Sequence, residues 1–129
     1  MATLAEQLDL MLTLEPNWDG YNADAIRPRL VALAHDFVQF FQAIEKANGV
    51  GLDIWVHPTR VGGVQIEWRD AKSEHELEIN PDGSIGMLHT NRTTGQMTEE
   101  VFQPATEPSV VVPGLLSRLV TLGERPEAA

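Results

Sequence analysis

The chain has 129 residues, 43% of them hydrophobic and 22% charged, which suits one globular domain with its own core and speaks against a second full domain or wholesale disorder. A formal net charge of −10, from 19 acidic and 9 basic residues, repels phosphate backbones and disfavours direct nucleic-acid binding. The chain holds no cysteine, which excludes disulfides, thiolate nucleophiles and Cys-ligated metal sites.

From Met1 through Glu6 no basic leader is present, and unbroken apolar runs are short, such as Leu30 to Ala34; the expectation is a soluble cytoplasmic protein without a membrane span. Thr3-Leu4-Ala5-Glu6 is a capping box, and Leu4, Leu8, Met11 and Leu12 follow at helical spacing, so residues 4 to 14 are expected to be helical, with Pro16 beyond their end. A second helix is expected from Pro28, where a missing N–H costs nothing, to Asn48, with Gly49 as its C-terminal stop. Its apolar stripe is Leu30, Leu33, Ala34, Phe37, Phe40, Phe41 and Ile44.

After Gly51 the period becomes two. Residues 52 to 57 and 64 to 69 read as strands joined through Pro58 and Gly62-Gly63. Residues 75 to 79 and 85 to 89 flank Asn80-Pro81-Asp82-Gly83-Ser84, a strong hairpin turn. Gln96 to Phe102 adds an optional edge strand, and Pro113 to Leu122 reads as a short helix with Leu115, Leu116, Leu119 and Val120 inward. The predicted fold is α+β: two N-terminal helices and a short C-terminal helix on one face of a four- or five-stranded antiparallel meander, in one domain over residues 1–122 with a loose tail from Gly123 to Ala129.

Alternation along strands puts the apolar sets on one face, and the simplest hairpin registers then place the rest. The inner face carries rows Ile54, Ile66, Leu77, Met87 and Leu52, Trp68, His75, His89; the outer face carries Asp53, Glu67, Glu76, Leu88 and Trp55, Gln65, Glu78, Gly86. Three carboxylates thus line up at a spacing where like charges are mildly destabilising. One explanation is a solvated face whose repulsion is screened and partly offset by Arg69, opposite Glu74, and by Lys72. The other is a binding face, since residues 67 to 82 hold six acids against Arg69 and Lys72, and Trp55 beside them is an aromatic anchor for an Arg/Lys-rich partner.

Between the two helices lies Asn17-Trp18-Asp19-Gly20-Tyr21-Asn22-Ala23-Asp24-Ala25-Ile26. Asp19-Gly20 reads as a turn in which the carboxylate takes nearby backbone N–H groups, with Trp18 and Tyr21 filling the gap between helices and sheet. The alternative makes Trp18, Asp19 and Tyr21 a ligand-binding loop. This segment resembles the Asn-Trp-Asp-Gly-Tyr-Gly-Ala motif of a family of small bacterial proteins in which a leucine-rich helix precedes the motif and an apolar helix and hairpins follow. Asn22 stands where that family has Gly, a residue that also tolerates left-handed dihedrals, and Ala25 where a Pro often precedes Ile. The resemblance implies the order of elements and a bacterial or phage origin, and brings no catalytic residue.

The histidines His35, His57, His75 and His89 lack the spacing of a helical zinc site. His75 and His89 fall opposite each other among apolar neighbours, which favours satisfied core or rim histidines over metal ligands. Glu67 and Glu76 have the separation of a retaining glycosidase pair, but an open sheet face offers little enclosure. No G-x-S-x-G elbow, P-loop or dinucleotide fingerprint occurs. The reading is therefore a small acidic binding module without catalytic residues, cofactor or metal. It would act as an inhibitor, antitoxin, immunity-like or anti-CRISPR-like protein, with Asp53, Trp55, Glu67, Glu76 and Glu78 against a basic surface of a partner such as a nucleic-acid-binding protein. Two competing classes remain. One is a metal-dependent or carboxylate acid/base hydrolase using Asp53, Glu67 and Glu76 or the His75/His89 pair; the other is a homo-oligomeric structural module, such as a homodimer joined at the strand near Val101 and Phe102.

Overall fold

The computed structural model describes residues 2–49, 53–69 and 71–102. The expected helix at 113–122 and the tail lie outside these, as does Leu52. Helix α1 spans Leu4–Met11 and opens on the anticipated capping box: Glu6 N–H donates to Thr3 Oγ1 at 3.1 Å, and Thr3 N–H donates to Glu6 Oε1 at 3.0 Å. It stops short of the expected residue 14, because the N–H groups of Leu12 and Thr13 turn back onto Asp9 and Leu10 three residues earlier, tightening the last turn. Helix α2 spans Pro28–Asn48, with Pro28 in the first turn and Gly49 closing it at φ 63°. That left-handed position is one glycine takes without steric cost.

Five strands follow: β1 (Asp53–Pro58), β2 (Val64–Arg69), β3 (Ser73–Ile79), β4 (Ile85–Asn91) and β5 (Met97–Phe102), paired antiparallel in chain order. The expected edge strand is present as β5. Asn80 to Ser84 closes β3 onto β4, with Gly83 at φ 92° and its N–H on the Asn80 carbonyl at 2.9 Å.

The buried side chains form one cluster. Leu8 and Met11 of α1 and Leu30, Val31, Ala34, Phe37, Val38 and Phe41 of α2 join Val56, Val64, Ile66, Trp68, Leu77, Ile79, Ile85 and Met87 of the sheet. Each of the larger ones stabilises the fold by about 1.5–3 kcal/mol relative to exposure. An aromatic stack runs through it, from Phe41 to Trp68 (centroids 4.4 Å), Trp68 to His75 (5.0 Å) and His75 to His89 (4.7 Å).

The registers of β2 with β3 and of β3 with β4 are the expected ones: Ile66 faces Leu77, Glu67 faces Glu76, and His75 faces His89. The register of β1 with β2 is not. Val56, rather than Ile54, faces Ile66, and Asp53 faces Arg69. The connection is a five-residue loop, Thr59 to Gly63, closed by Thr59 N–H on the Gly63 carbonyl at 3.0 Å and Gly63 N–H on Thr59 Oγ1 at 2.9 Å. Gly63 also passes so close to β3 that a Cβ there would lie 2.3 Å from the Ile79 carbonyl oxygen. A slip of two residues keeps every side chain on its face, because the strand period is two.

Candidate functional site

Register decides what the outer face presents. The acidic row expected to hold Asp53, Glu67 and Glu76 is corrected: across it now lie Trp55, Glu67, Glu76, Leu88 and Glu99, while Asp53 shares a row with Arg69, Glu74, Thr90 and Met97. Asp53 therefore meets a cation instead of two carboxylates, at 3.8 Å from Arg69 Nε. Trp55 moves from beside Gln65 to beside Glu67, and His57 takes its place opposite Gln65, in the row of Glu78 and Gly86. Glu67, Glu76 and Glu78 stay together on neighbouring strands as expected.

Trp55, His57, Glu67, Arg69, Glu74 and Glu76 are among the residues that line a depression of about 290 Å³, whereas the expected site residues Asp53 and Glu78 do not line it. Trp55, 38% exposed, forms part of its wall. The Arg69 guanidinium lies over that indole, its Cζ 4.8 Å from the ring centroid, within the range of a cation–π contact, which contributes about 0.5–1 kcal/mol at an exposed site. Gln65 Nε2 donates to Glu67 Oε1 at 2.8 Å, and His57 Nε2 lies 3.8 Å from Glu67 Oε2. At Glu76, partial burial and the charges of Glu67, Glu78 and Glu74 push the carboxyl above its ordinary value, with His57 opposing. An added cation relieves such a repulsion.

The Asn17–Asp24 loop is a second, unlike site. Asn17, Gly20 and Asn22 all take positive φ, at 68°, 77° and 67°, and Asn is among the residues that tolerate the left-handed region. Asp19 Oδ1 accepts the Tyr21 and Ala23 N–H groups at 2.8 and 3.1 Å, and Oδ2 accepts Arg60 Nε at 2.8 Å. Arg60 Nη2 also donates to the Tyr21 carbonyl, and Asp24 N–H reaches the Arg60 carbonyl at 2.8 Å. Desolvation raises the Asp19 pKa, but those two N–H groups and Arg60 outweigh it and hold the carboxyl below its ordinary range. Trp18 packs on the core and donates Nε1–H to the Asp24 carbonyl at 2.8 Å. Of the three residues of the ligand-loop reading, Trp18 and Asp19 are thus engaged in the loop's own bonding. Tyr21 does not plug the gap between helices and sheet as the packing reading expects: it is 76% exposed.

His75 and His89 lie on the inner face, His75 buried and His89 with its Nε2 3.2 Å from Ser73 Oγ. Their strand positions put them on the face opposite Asp53, Glu67 and Glu76, the alternative residue set of the hydrolase reading. Among the described residues no three of His, Asp and Glu gather as a metal site, and no helix is long and apolar enough to cross a membrane.

Sequence reasoning missed Arg60 as the partner of Asp19 and Arg69 as the cover of Trp55. Arg60 is 41 positions from Asp19, and no local pattern links them. Arg69 is diagonal to Trp55 only in the register that pairs Trp55 with Glu67, and strand alternation does not distinguish that register from one slipped by two residues. No protein-family model, no curated protein and no solved structure matches the chain.

Proposed function

We propose that this chain is a protein-binding module whose outer sheet face takes a basic surface of a partner protein, in the manner of an inhibitor, antitoxin or immunity protein. The observation that carries this reading is the concave, Trp55-walled depression with Glu67, Glu74 and Glu76 around it, an aromatic anchor beside negative charge that Arg69 and Arg92 offset only in part, at Glu74. Aromatic and arginine contacts dominate binding energy where they are enclosed by such a rim, and charge complementarity sets the rate of encounter. The net charge of −10 extends the same attraction over the whole molecule. The Asn-Trp-Asp-Gly-Tyr resemblance fits a bacterial or phage setting for such a protein and adds no activity.

The test is capture of partners on the immobilised chain at low salt with a wash at high salt, repeated with the Glu67→Lys/Glu76→Lys/Glu78→Lys variant. Exposed charges are screened over about 8 Å at physiological ionic strength, so captured basic proteins should elute with salt. The reversed variant should stay folded and capture none. A complex indifferent to salt, or one that survives the reversal, rejects the reading. A second reading, self-association through β5, is favoured by Met97 and Val101, both exposed on the outer face of that strand. A molar mass that rises with concentration in light scattering would support it.

A further inference from the structure

Arg69 is held differently from the other arginine at a site. Arg60 is clamped by Asp19 at 2.8 Å, whereas the Arg69 guanidinium nitrogens stand 3.8 Å from Asp53 and 3.9 Å from Glu74, beyond hydrogen-bond reach. The Arg69 Cζ also lies 4.8 Å from the Trp55 ring centroid, and the arginine side chain keeps 43% of its exposure. A guanidinium that stacks on indole and meets its carboxylates only at ion-pair distance, without a hydrogen bond to either, is a guanidinium that another can replace. Beside it the depression continues to Glu67 and Glu76, and burial, followed by the charges of Glu67, Glu78 and Glu74, pushes the Glu76 carboxyl above its ordinary value.

We infer that the Trp55 face is an arginine subsite of the partner-binding surface, closed in the free chain by Arg69, and that a partner's arginine enters by displacing Arg69 and reaching Glu67 and Glu76. This rests on the cationic-partner reading above and deepens it by naming the side chain recognised. Arginine is preferred to lysine here on physical grounds. The planar, weakly hydrated guanidinium stacks on an indole and meets a carboxylate through two parallel N–H groups, while an ammonium is a compact, strongly hydrated charge. Arg69 acts as a built-in competitor, which lowers affinity for any single cation and favours partners that present arginine.

The experiment titrates the full chain with two peptides of equal length and charge, one bearing only arginine and one only lysine, following affinity and the Trp55 indole N–H signal in NMR spectra. The wild type should bind the arginine peptide about two- to fivefold more tightly, the ratio a contact of this kind supplies, with the Trp55 signal moving. Arg69→Ala should tighten arginine-peptide binding by more than Lys46→Gln does, the latter removing the same charge from the exposed end of α2. Trp55→Leu should erase the preference for arginine, and Trp55→Phe should retain part of it. Equal gains from Arg69→Ala and Lys46→Gln, or equal affinities for the two peptides with an unmoved Trp55 signal, overturn the subsite. If both peptides still bind with dependence on salt and on Glu67 and Glu76, the cationic-partner reading survives that result. If neither peptide binds any variant, both readings fall together.

Discussion

Two carboxylate environments on this small protein are built on opposite terms. In the Asn17–Asp24 loop a single carboxylate, Asp19, collects two backbone N–H groups and the Arg60 guanidinium; on the outer sheet face Glu67, Glu74, Glu76 and Glu78 crowd together with more charge than their neighbours neutralise. The first site lowers the pKa of its acid and the second raises it. A carboxylate whose donors are supplied by its own chain ties two loops together and gains little from an external cation. One that is repelled by its neighbours weakens the fold slightly and gains from an external cation. The difference separates a structural lock from a candidate binding surface, although both contain an acid, an arginine and an exposed aromatic residue.

The largest effect is expected where the lock meets the sheet. Gly63→Ala puts a methyl group 2.3 Å from the Ile79 carbonyl oxygen and 3.1 Å from Thr59 Oγ1, and backbone cannot swing aside as a side chain can. A cost of about 3 kcal/mol is expected, with loss of β1 pairing; denaturant unfolding and the Trp55 amide signal measure it. An unchanged midpoint would mean that the loop does not set the register.

Next comes Asp19→Asn. A carboxylate whose folded pKa lies below its ordinary 3.8 contributes stability that is present above that value and is lost as pH falls through the folded value. The variant should melt below the wild type at neutral pH, and the gap should close on acidification below about pH 4. Arg60→Met should lower the neutral melting temperature in the same direction.

Glu76→Gln is expected to act with the opposite sign and a smaller size. Because the folded pKa lies above 4.5, the native state holds its proton more tightly. Stability therefore falls as pH rises from the ordinary value through the raised one and stays lower above it. Removing the charge should stabilise the neutral protein by a few tenths of a kcal/mol, a gain that vanishes below about pH 4 and shrinks in high salt. If Asp19→Asn and Glu76→Gln shift the neutral melting temperature the same way, the contrast between the two regions is wrong. The smallest effect belongs to Tyr21→Ala, where 76% exposure predicts a change within about 0.5 kcal/mol.

Much of the architecture was legible from particular residues. Thr3 and Glu6 announced the start of α1, Pro28 and Gly49 bracketed α2, and Asn80 to Ser84 fixed the β3–β4 hairpin, because capping and turn formation depend on residues within a few positions of one another. From those hairpin registers followed the facing pairs Glu67–Glu76 and His75–His89. Less of the candidate site was legible. Trp55, Glu67, Glu76 and Glu78 were placed on the correct face, but Asp53 was set among carboxylates when it faces Arg69, and the arginine above Trp55 went unread. Tyr21 was expected to fill a gap between layers and instead stands in solvent, since an aromatic residue in a turn carries no periodicity that tells inside from outside.

By itself the amino-acid sequence determined α1, α2 and strands β1 to β4, their order and the face of the sheet their residues would occupy, because helix and strand periods are local and burial follows them. Only the tertiary structure decided how far β1 slides along β2, and with it whether Asp53 or Trp55 adjoins Glu67. Sliding by two residues leaves every apolar side chain on the buried face, so the hydrophobic pattern is blind to it; the close passage of Gly63 against β3 is a contact between segments, and with the local closure of the Thr59–Gly63 loop it accompanies the register that the pattern leaves open.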